Sequence, residues 1–316
     1  MQDPVRPLIW RNAIRKRWSG TEPVCELLSC SGTRSLWQRV WRRQTGVFLQ
    51  GMYYCQPQCV ETALSEQLRR LERSTPKTPP ASRIPLGLLM VARGRLRYRE
   101  VAAALEAQQR ARHGTIGEWI KKLGFATEQE VTSALGLQWG CPVASSLETT
   151  SLPTFSRIPL AILEAFQMLP LQYASTTQTL YLACGQRCDH AALYAIERII
   201  GCRTQPCVGG PKDIAWQLER LRRQPRPHEV EFGPVGDTAE MSRISLSYIT
   251  RVGADEVQAE RVGPMIWLRL KSRASYTNLV FRLPSGARQE PAFTPIHRAD
   301  RPLSVLKPSA VWPAGQ

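Results

Sequence analysis

Residues 85–108 read PLGLLMVARGRLRYREVAAALEAQ, and residues 115–138 read TIGEWIKKLGFATEQEVTSALGLQ. In both segments a glycine at the third position is followed by a glycine, a valine, a leucine and a glutamine, at intervals of 7, 14, 18 and 21 residues. Five matched positions at identical spacing indicate an internal repeat. We predict that each copy folds as a short helix, a turn at its second glycine and a longer helix, because glycine is favoured just past a helix end.

The chain on either side of the repeats divides at proline-rich segments, which favour extended linkers over helices. Between these segments, apolar residues recur with helix and strand periods. We therefore predict an α+β multidomain protein. Its predicted parts are an undefined basic N-terminus (1–19), a small module (20–73), a linker (74–82), a repeat-containing domain (83–222, with an α+β part over 150–222), a second linker (223–235), a small αββ unit (236–283) and a proline-rich tail (284–316).

The composition is that of a globular protein, with 43% hydrophobic and 22% charged residues among 316. No apolar run approaches the ~18 residues that a membrane span needs, and the first residues do not resemble a secretory signal. We therefore expect a cytoplasmic protein without a membrane span. The net charge of +16 is spread along the chain, which favours weak attraction to acidic partners rather than a defined nucleic-acid groove.

Four cysteines in the N-terminal module have spacing typical of a metal site. They form two close pairs, Cys25 with Cys30 and Cys55 with Cys59. Two such pairs suit tetrahedral zinc, and a helix beginning near Cys59 would resemble a treble-clef finger. The site would be closed and structural, and zinc would supply folding energy to a small core. The alternative is four unconnected thiols.

Other residues of the chain offer weaker candidates for chemistry. The basic and aromatic stretch RSLWQRVWRR, residues 34–43, could contact nucleic acid, although packing of its tryptophans on the small core is the favoured interpretation. Cys184, Cys188, Cys202 and Cys207 are interpreted as buried or partly buried thiols. No arrangement typical of a catalytic site is present, so we expect no enzymatic activity.

The repeats resemble the N-terminal domain of type II secretion and type IV pilus assembly ATPases, the GspE/MshE N-terminal domain family. That family has an arginine, a leucine and a glycine at the start of each repeat, followed by glycine, leucine, leucine and glutamine at the same intervals. The resemblance continues through Trp139-Gly-Cys-Pro142, Met168-Leu-Pro-Leu171 and Asp213-Ile214. It covers residues 83–222.

The resemblance implies an accessory role in a bacterial secretion or pilus-type machine. An ATPase needs a phosphate loop ending in Gly-Lys-Ser/Thr, and the chain has no Gly-Lys pair. We therefore expect a non-catalytic regulatory or assembly adaptor that docks to a protein partner. One alternative is a nucleic-acid-binding regulator that uses the basic zinc module.

A second alternative is a cyclic di-GMP receptor, because some family members bind this nucleotide through paired repeats. The leading arginines of the family are replaced by Pro85 and Thr115 here. Arg83, two residues before Pro85, could partly substitute. The ligand-binding residues that the resemblance implies are Arg83, Leu86, Gly87, Gly94, Gln108, Ile116, Gly117, Gly124 and Gln138.

Overall fold

The computed structural model of the chain describes residues 23–30, 46–74, 84–144, 147, 157–185, 188–226, 228–273 and 275–284. All of them lie within residues 1–284, which form one structural unit. The predicted N-terminus 1–19, nearly all of the linker 74–82 and of the tail 284–316, and the basic stretch 34–43 lie outside the described residues.

The described residues form nine strands and nine helices. The strands are β1 (Val47–Leu49), β2 (Met52–Tyr54), β3 (Met168–Ala174), β4 (Thr179–Cys184), β5 (Arg203–Val208), β6 (Glu229–Pro234), β7 (Glu256–Val262), β8 (Met265–Lys271) and β9 (Tyr276–Arg282). The helices are α1 (Pro57–Arg73), α2 (Leu86–Ala92), α3 (Tyr98–Ala111), α4 (Ile116–Lys122), α5 (Glu128–Trp139), α6 (Leu160–Ala165), α7 (His190–Ile200), α8 (Pro211–Arg222) and α9 (Thr238–Val252). None of these helices is long and apolar enough to cross a membrane.

The strands form two sheets. The larger has the order β2-β1-β7-β8-β9-β6, and the smaller has the order β3-β4-β5. In the larger sheet, β7, β8 and β9 form an antiparallel meander, while β1 pairs in parallel with β7 and β6 pairs in parallel with β9. In the smaller sheet, the antiparallel β3-β4 hairpin is followed by helix α7 and the parallel strand β5. The predicted α+β class is confirmed.

The region after the repeats has more strands than the sequence predicts. Residues 236–283, predicted as an αββ unit, contain α9 and three strands, because β7 also pairs along its whole length with β8. Strand β6 lies inside 223–235, which is predicted as a linker. The neighbouring prolines favour a linker interpretation of this short strand. Its Phe232 stacks on Phe281 of β9, with ring centroids 4.6 Å apart.

The N-terminal module and the region after residue 228 share one sheet. The backbone N–H of Phe48 in β1 donates to Asp255 at 2.9 Å, and Gln50 N–H donates to Val257 at 2.9 Å. Arg261 of β7 donates through Nη1 to three backbone carbonyls at the end of α1, including that of Ser74 at 2.6 Å. The predicted segments 20–73 and 236–283 therefore pack as one layer of strands with helices α1 and α9 against it.

Strand β8 separates two hydrophobic cores. Met265 and Trp267 face the core formed by helices α6, α7 and α8 and the smaller sheet. Ile266 and Leu268 alternate with them and face the core that includes α1 and α9. All four side chains are buried, which explains why this strand has a continuous apolar run rather than a simple alternation. A third core lies among the repeat helices.

Replacing the buried tryptophan of β8 should destabilise the whole unit. Trp267 is fully buried, and its Nε1 donates to the buried Asn278 Oδ1 at 3.0 Å. We expect Trp267→Ala to lower the free energy of unfolding by about 3–5 kcal/mol, measured by urea denaturation. The matched control is Trp216→Ala on α8, where the ring is 62% exposed and the change should stay within about 0.5 kcal/mol. Equal losses in the two variants would contradict this account of the core.

Candidate metal centre and paired repeats

The first pair of cysteines lies in a short turn beside the β1-β2 hairpin. The backbone N–H of Cys30 donates to the carbonyl of Leu27 at 3.0 Å, which closes a turn over residues 27–30, just after Cys25. The N–H of Glu26 donates to the carbonyl of Tyr53 in β2 at 3.0 Å. This bond holds the turn against the strand that leads to the second pair.

The second pair lies where strand β2 passes into helix α1. Cys55 directly follows the strand, and Pro57 occupies the first turn of the helix. Proline is favoured there because its missing N–H would have no helical partner. Cys59 follows in the same turn, so its side chain lies close to that of Cys55, as the treble-clef interpretation predicts.

The four thiols converge on one point. Their sulfur atoms all lie within 4.8 Å of one another, and among the described residues no other group of three or more potential metal ligands meets that limit. Cys30 Sγ lies 3.5 Å from Cys55 Sγ and 3.7 Å from Cys59 Sγ. Tetrahedral zinc with Zn–S bonds of about 2.3 Å requires sulfurs about 3.8 Å apart. The arrangement therefore fits a zinc ion with four cysteine ligands.

Burial and mutual proximity raise the pKa of the two thiols of the second pair, Cys55 and Cys59. Burial is the largest cause that raises the pKa of Cys59 to about 12, and hydrogen bonds from Cys30 and Cys25 raise it further. The pKa of Cys55 is raised by the same causes. A bound dication reverses this preference, because thiolates are the metal ligands. None of the four forms a disulfide.

The other described cysteines lie apart from this cluster. Cys184, Cys188, Cys202 and Cys207 are buried, in agreement with their interpretation as buried thiols. Burial raises the pKa of Cys202 and of Cys207 to about 11. Protonated, enclosed thiols of this kind are poor nucleophiles.

Both repeat copies have the predicted backbone. The first folds as α2, a turn and α3, and the second as α4, a turn and α5. The turn glycines Gly94 and Gly124 have φ values of +68° and +73°, a conformation that residues with a Cβ atom rarely adopt. Thr127 begins α5 and accepts from Glu130 N–H, while the Glu130 carboxylate accepts from Thr127 N–H at 2.9 Å. These two reciprocal bonds form a capping box.

The first glycine of each copy allows two helices to pack closely. A Cβ atom added at Gly87 would lie 2.7 Å from Val101 Cγ1, and one added at Gly117 would lie 3.0 Å from Val131 Cγ1. Both distances are shorter than carbon atoms tolerate. The glycine and the valine 14 residues later are therefore explained by contact between the short and the long helix of the same copy.

The two glutamines link the copies to each other. Gln108 Nε2 in the first copy donates to the Gly114 carbonyl at 2.8 Å, next to the start of α4. Gln138 Nε2 in the second copy donates to the Ile84 carbonyl at 2.7 Å, next to the start of α2. Each glutamine thus binds the backbone carbonyl just before the N-cap of the other copy's short helix. Sequence reasoning missed this exchange, and the identical spacing of the glutamines was its only signal.

The remaining predicted ligand residues differ in their exposure. Leu86 is buried in the repeat core, and Ile116 is partly buried against it. Pro85 and Thr115 precede the short helices, and Thr115 Oγ1 accepts from the backbone N–H of Glu118. Thr115, which occupies the position of the family's arginine in the second repeat, therefore caps helix α4. Arg83 lies outside the described residues.

Comparison with known proteins identifies one segment. Residues 139–228 match the sequence profile of the MshEN domain, and this match begins where the second repeat ends. Similar solved structures include MshE with cyclic di-GMP, at 21% identity over 44% of this chain and 99% of that chain with a TM-score of 0.38. The N-terminal domain of XpsE is 19% identical over 43% of this chain and 92% of that chain, with a TM-score of 0.33. No curated protein matches the chain.

The matched segment contains helices α6 to α8 and the smaller sheet. These are the elements for which the sequence predicts the α+β part of a secretion ATPase N-terminal domain. Residues 139–228 match the MshEN domain, and the chain therefore resembles the N-terminal domains of type II secretion and pilus assembly ATPases, as the sequence predicts.

Proposed function

We propose that this chain is a non-catalytic regulatory or assembly adaptor that docks to a protein of a secretion or pilus-type machine. The MshEN match supports the kind of machine. The exposed surface of helix α8, inside the matched segment, supports docking. Ile214, Leu218 and Leu221 bury one side of this helix in the core, and its other side is open to a partner.

The open side of α8 presents the residue types that dominate protein interfaces. Lys212, Trp216 and Arg220 are exposed and spaced four residues apart, so they lie along one stripe of the helix. The Arg220 guanidinium lies 5.6 Å from the Trp216 ring centroid. Tryptophan and arginine supply much of the binding energy at protein interfaces. The stripe suits a partner with an apolar pocket bordered by carboxylates.

Loss of the exposed tryptophan should weaken docking without affecting the fold. We expect Trp216→Ala to lower, at least tenfold, the affinity of the chain for its partner among the cytoplasmic proteins of a secretion or pilus machine from the same organism. The affinity is measured by biolayer interferometry with each of these proteins in purified form. Tyr98→Ala is the matched control, because Tyr98 is 70% exposed on α3, outside the MshEN segment. Equal effects of the two variants, or no binding by any component, would contradict the proposal.

We also propose that Cys25, Cys30, Cys55 and Cys59 hold a structural zinc ion. The sulfur geometry supports this assignment, and four protein ligands leave no open position for catalysis. The ion would fasten the turn at 25–30 to the hairpin and to α1. Through the pairing of β1 with β7, this would also stabilise the edge of the larger sheet.

Removal of one ligand should release the metal. We expect the purified chain to contain one zinc per molecule by plasma mass spectrometry, and Cys30→Ser to contain far less and to unfold at a lower temperature. Cys141→Ser is the control, because Cys141 lies outside the cluster and its Sγ donates to the backbone carbonyl of Trp139 at 3.5 Å. A metal-free wild-type chain with unchanged stability after chelation would contradict the zinc assignment.

A cyclic di-GMP receptor is the second candidate function. The observation that favours it is the reciprocal arrangement of the two copies, in which Gln108 and Gln138 place matching short helices side by side in equivalent settings. Such a pair could receive a ligand that itself has two equivalent halves. The turns at Gly94 and Gly124 are open, with no atom within 4 Å of an added Cβ.

Calorimetric titration of cyclic di-GMP into the full chain decides between these functions. A receptor should bind with micromolar or tighter affinity, and Gln138→Ala should weaken binding because the start of α2 loses its support. Gln205→Ala, on the exposed side of β5, should bind normally. A folded chain that releases no heat would exclude the receptor and leave docking as the proposed function.

A further inference from the structure

Two arginines from distant parts of the chain meet beside the buried strand β8. Arg269 lies on the face of β8 that also carries Trp267, at the end of the core shared with the MshEN domain. Its Nη1 donates to the backbone carbonyl of Arg157 at 2.9 Å. Arg157 directly precedes Ile158, which is fully buried in that core. This bond places the Arg269 guanidinium against the backbone of Arg157, close enough for the charge of Arg157 to act on it.

A tyrosine ring supports each guanidinium. The Cζ atom of Arg157 lies 4.5 Å from the ring centroid of Tyr173, and that of Arg269 lies 4.1 Å from the ring centroid of Tyr276. Contact with a ring engages the flat face of a guanidinium and leaves the N–H groups in its plane. One of these groups on Arg269 is used by the carbonyl of Arg157, and others on both side chains can donate to a ligand.

No carboxylate among the described residues pairs with either arginine. The acidic side chains of this region, Glu197, Glu229 and Glu256, are bound elsewhere. Their partners are Thr204 for Glu197, Arg226 and the N–H of Leu160 for Glu229, and Lys271 for Glu256. Among the described residues, these two partly buried guanidinium groups therefore have no ion-pair partner.

This setting is electrostatically unfavourable for the arginines alone. Burial is the main cause that lowers the pKa of Arg269 to about 10, and the charge of Arg157 lowers it further, whereas Tyr276, Cys202 and Glu256 raise it. Arg269 is still protonated at neutral pH. A bound anion would remove both penalties, since it supplies the counter-charge and accepts the free N–H groups.

We propose that Arg157 and Arg269 form a binding site for a phosphate group, carried by inorganic phosphate or by a small nucleotide. Guanidinium groups match the oxygens of phosphate in pairs, and a dianion balances the two positive charges. The site is separate from the repeat residues and from the stripe on α8, so it adds a small-molecule input to the proposed adaptor.

Binding is tested on the full chain by calorimetry with inorganic phosphate at constant ionic strength. We expect saturable binding, and at least a tenfold higher Kd in Arg157→Gln. This variant should fold normally, because Arg269 bonds to the backbone of Arg157 rather than to its side chain. The matched control is Arg251→Gln, because Arg251 also lies on a tyrosine, 4.1 Å from the ring centroid of Tyr248, but is exposed. Its phosphate affinity should equal that of the unaltered chain.

Competition with GMP identifies the source of the phosphate. Displacement of inorganic phosphate by GMP at lower concentration would assign a nucleotide, and weaker displacement would assign free phosphate. Absence of phosphate binding, or equal affinity in Arg157→Gln and the unaltered chain, would overturn the proposal. Cyclic di-GMP binding that is insensitive to Arg157→Gln would instead belong to the repeats, which separates this site from the receptor candidate.

Discussion

Burial of strand β8 on both faces is the constraint on which the described structure depends. Its side chains alternate between the core of the MshEN domain and the core under α1 and α9, so neither core is complete without this strand. The two cores therefore cannot be separated by a hinge between the MshEN domain and the larger sheet. Removing apolar area of this extent from water supplies a stabilisation that surface contacts do not match.

Few backbone pairings between strands connect the N-terminal module to strand β8. Strand β1 has three residues, and two of them pair with β7, which in turn pairs with β8. A three-residue strand contributes little free energy by itself. A metal ion at the cysteine cluster would compensate for this, because binding free energy becomes folding free energy when the site forms only in the folded state.

Local signals in the sequence predicted local structure well, and pairings between distant segments were not predictable. The repeat spacing predicted the helical hairpins, and the apolar periods predicted the α+β part over 150–222, because both patterns arise within single elements. The pairing of β1 with β7 joins residues about 200 positions apart, such as Phe48 and Glu256, and a strand of three residues has no recognisable period. Strand β6 was missed because its neighbouring prolines outweighed the alternation of Val230 and Phe232 with glutamates.

The arginine pair was also beyond sequence reasoning, although one residue carried a signal. In the run MIWLRLK of β8, Arg269 is a charged residue between buried neighbours, while Lys271 at the end of the strand is exposed. A strand that is packed on both faces cannot rotate to expose the Arg269 side chain to solvent. The positive charge must therefore be stabilised at its position in the fold. Within the described residues Tyr276 and a backbone carbonyl meet part of it. Neither has a formal negative charge, and Glu256, whose carboxylate raises the pKa of Arg269, is ion-paired with Lys271. A bound anion would therefore complete the stabilisation of this charge.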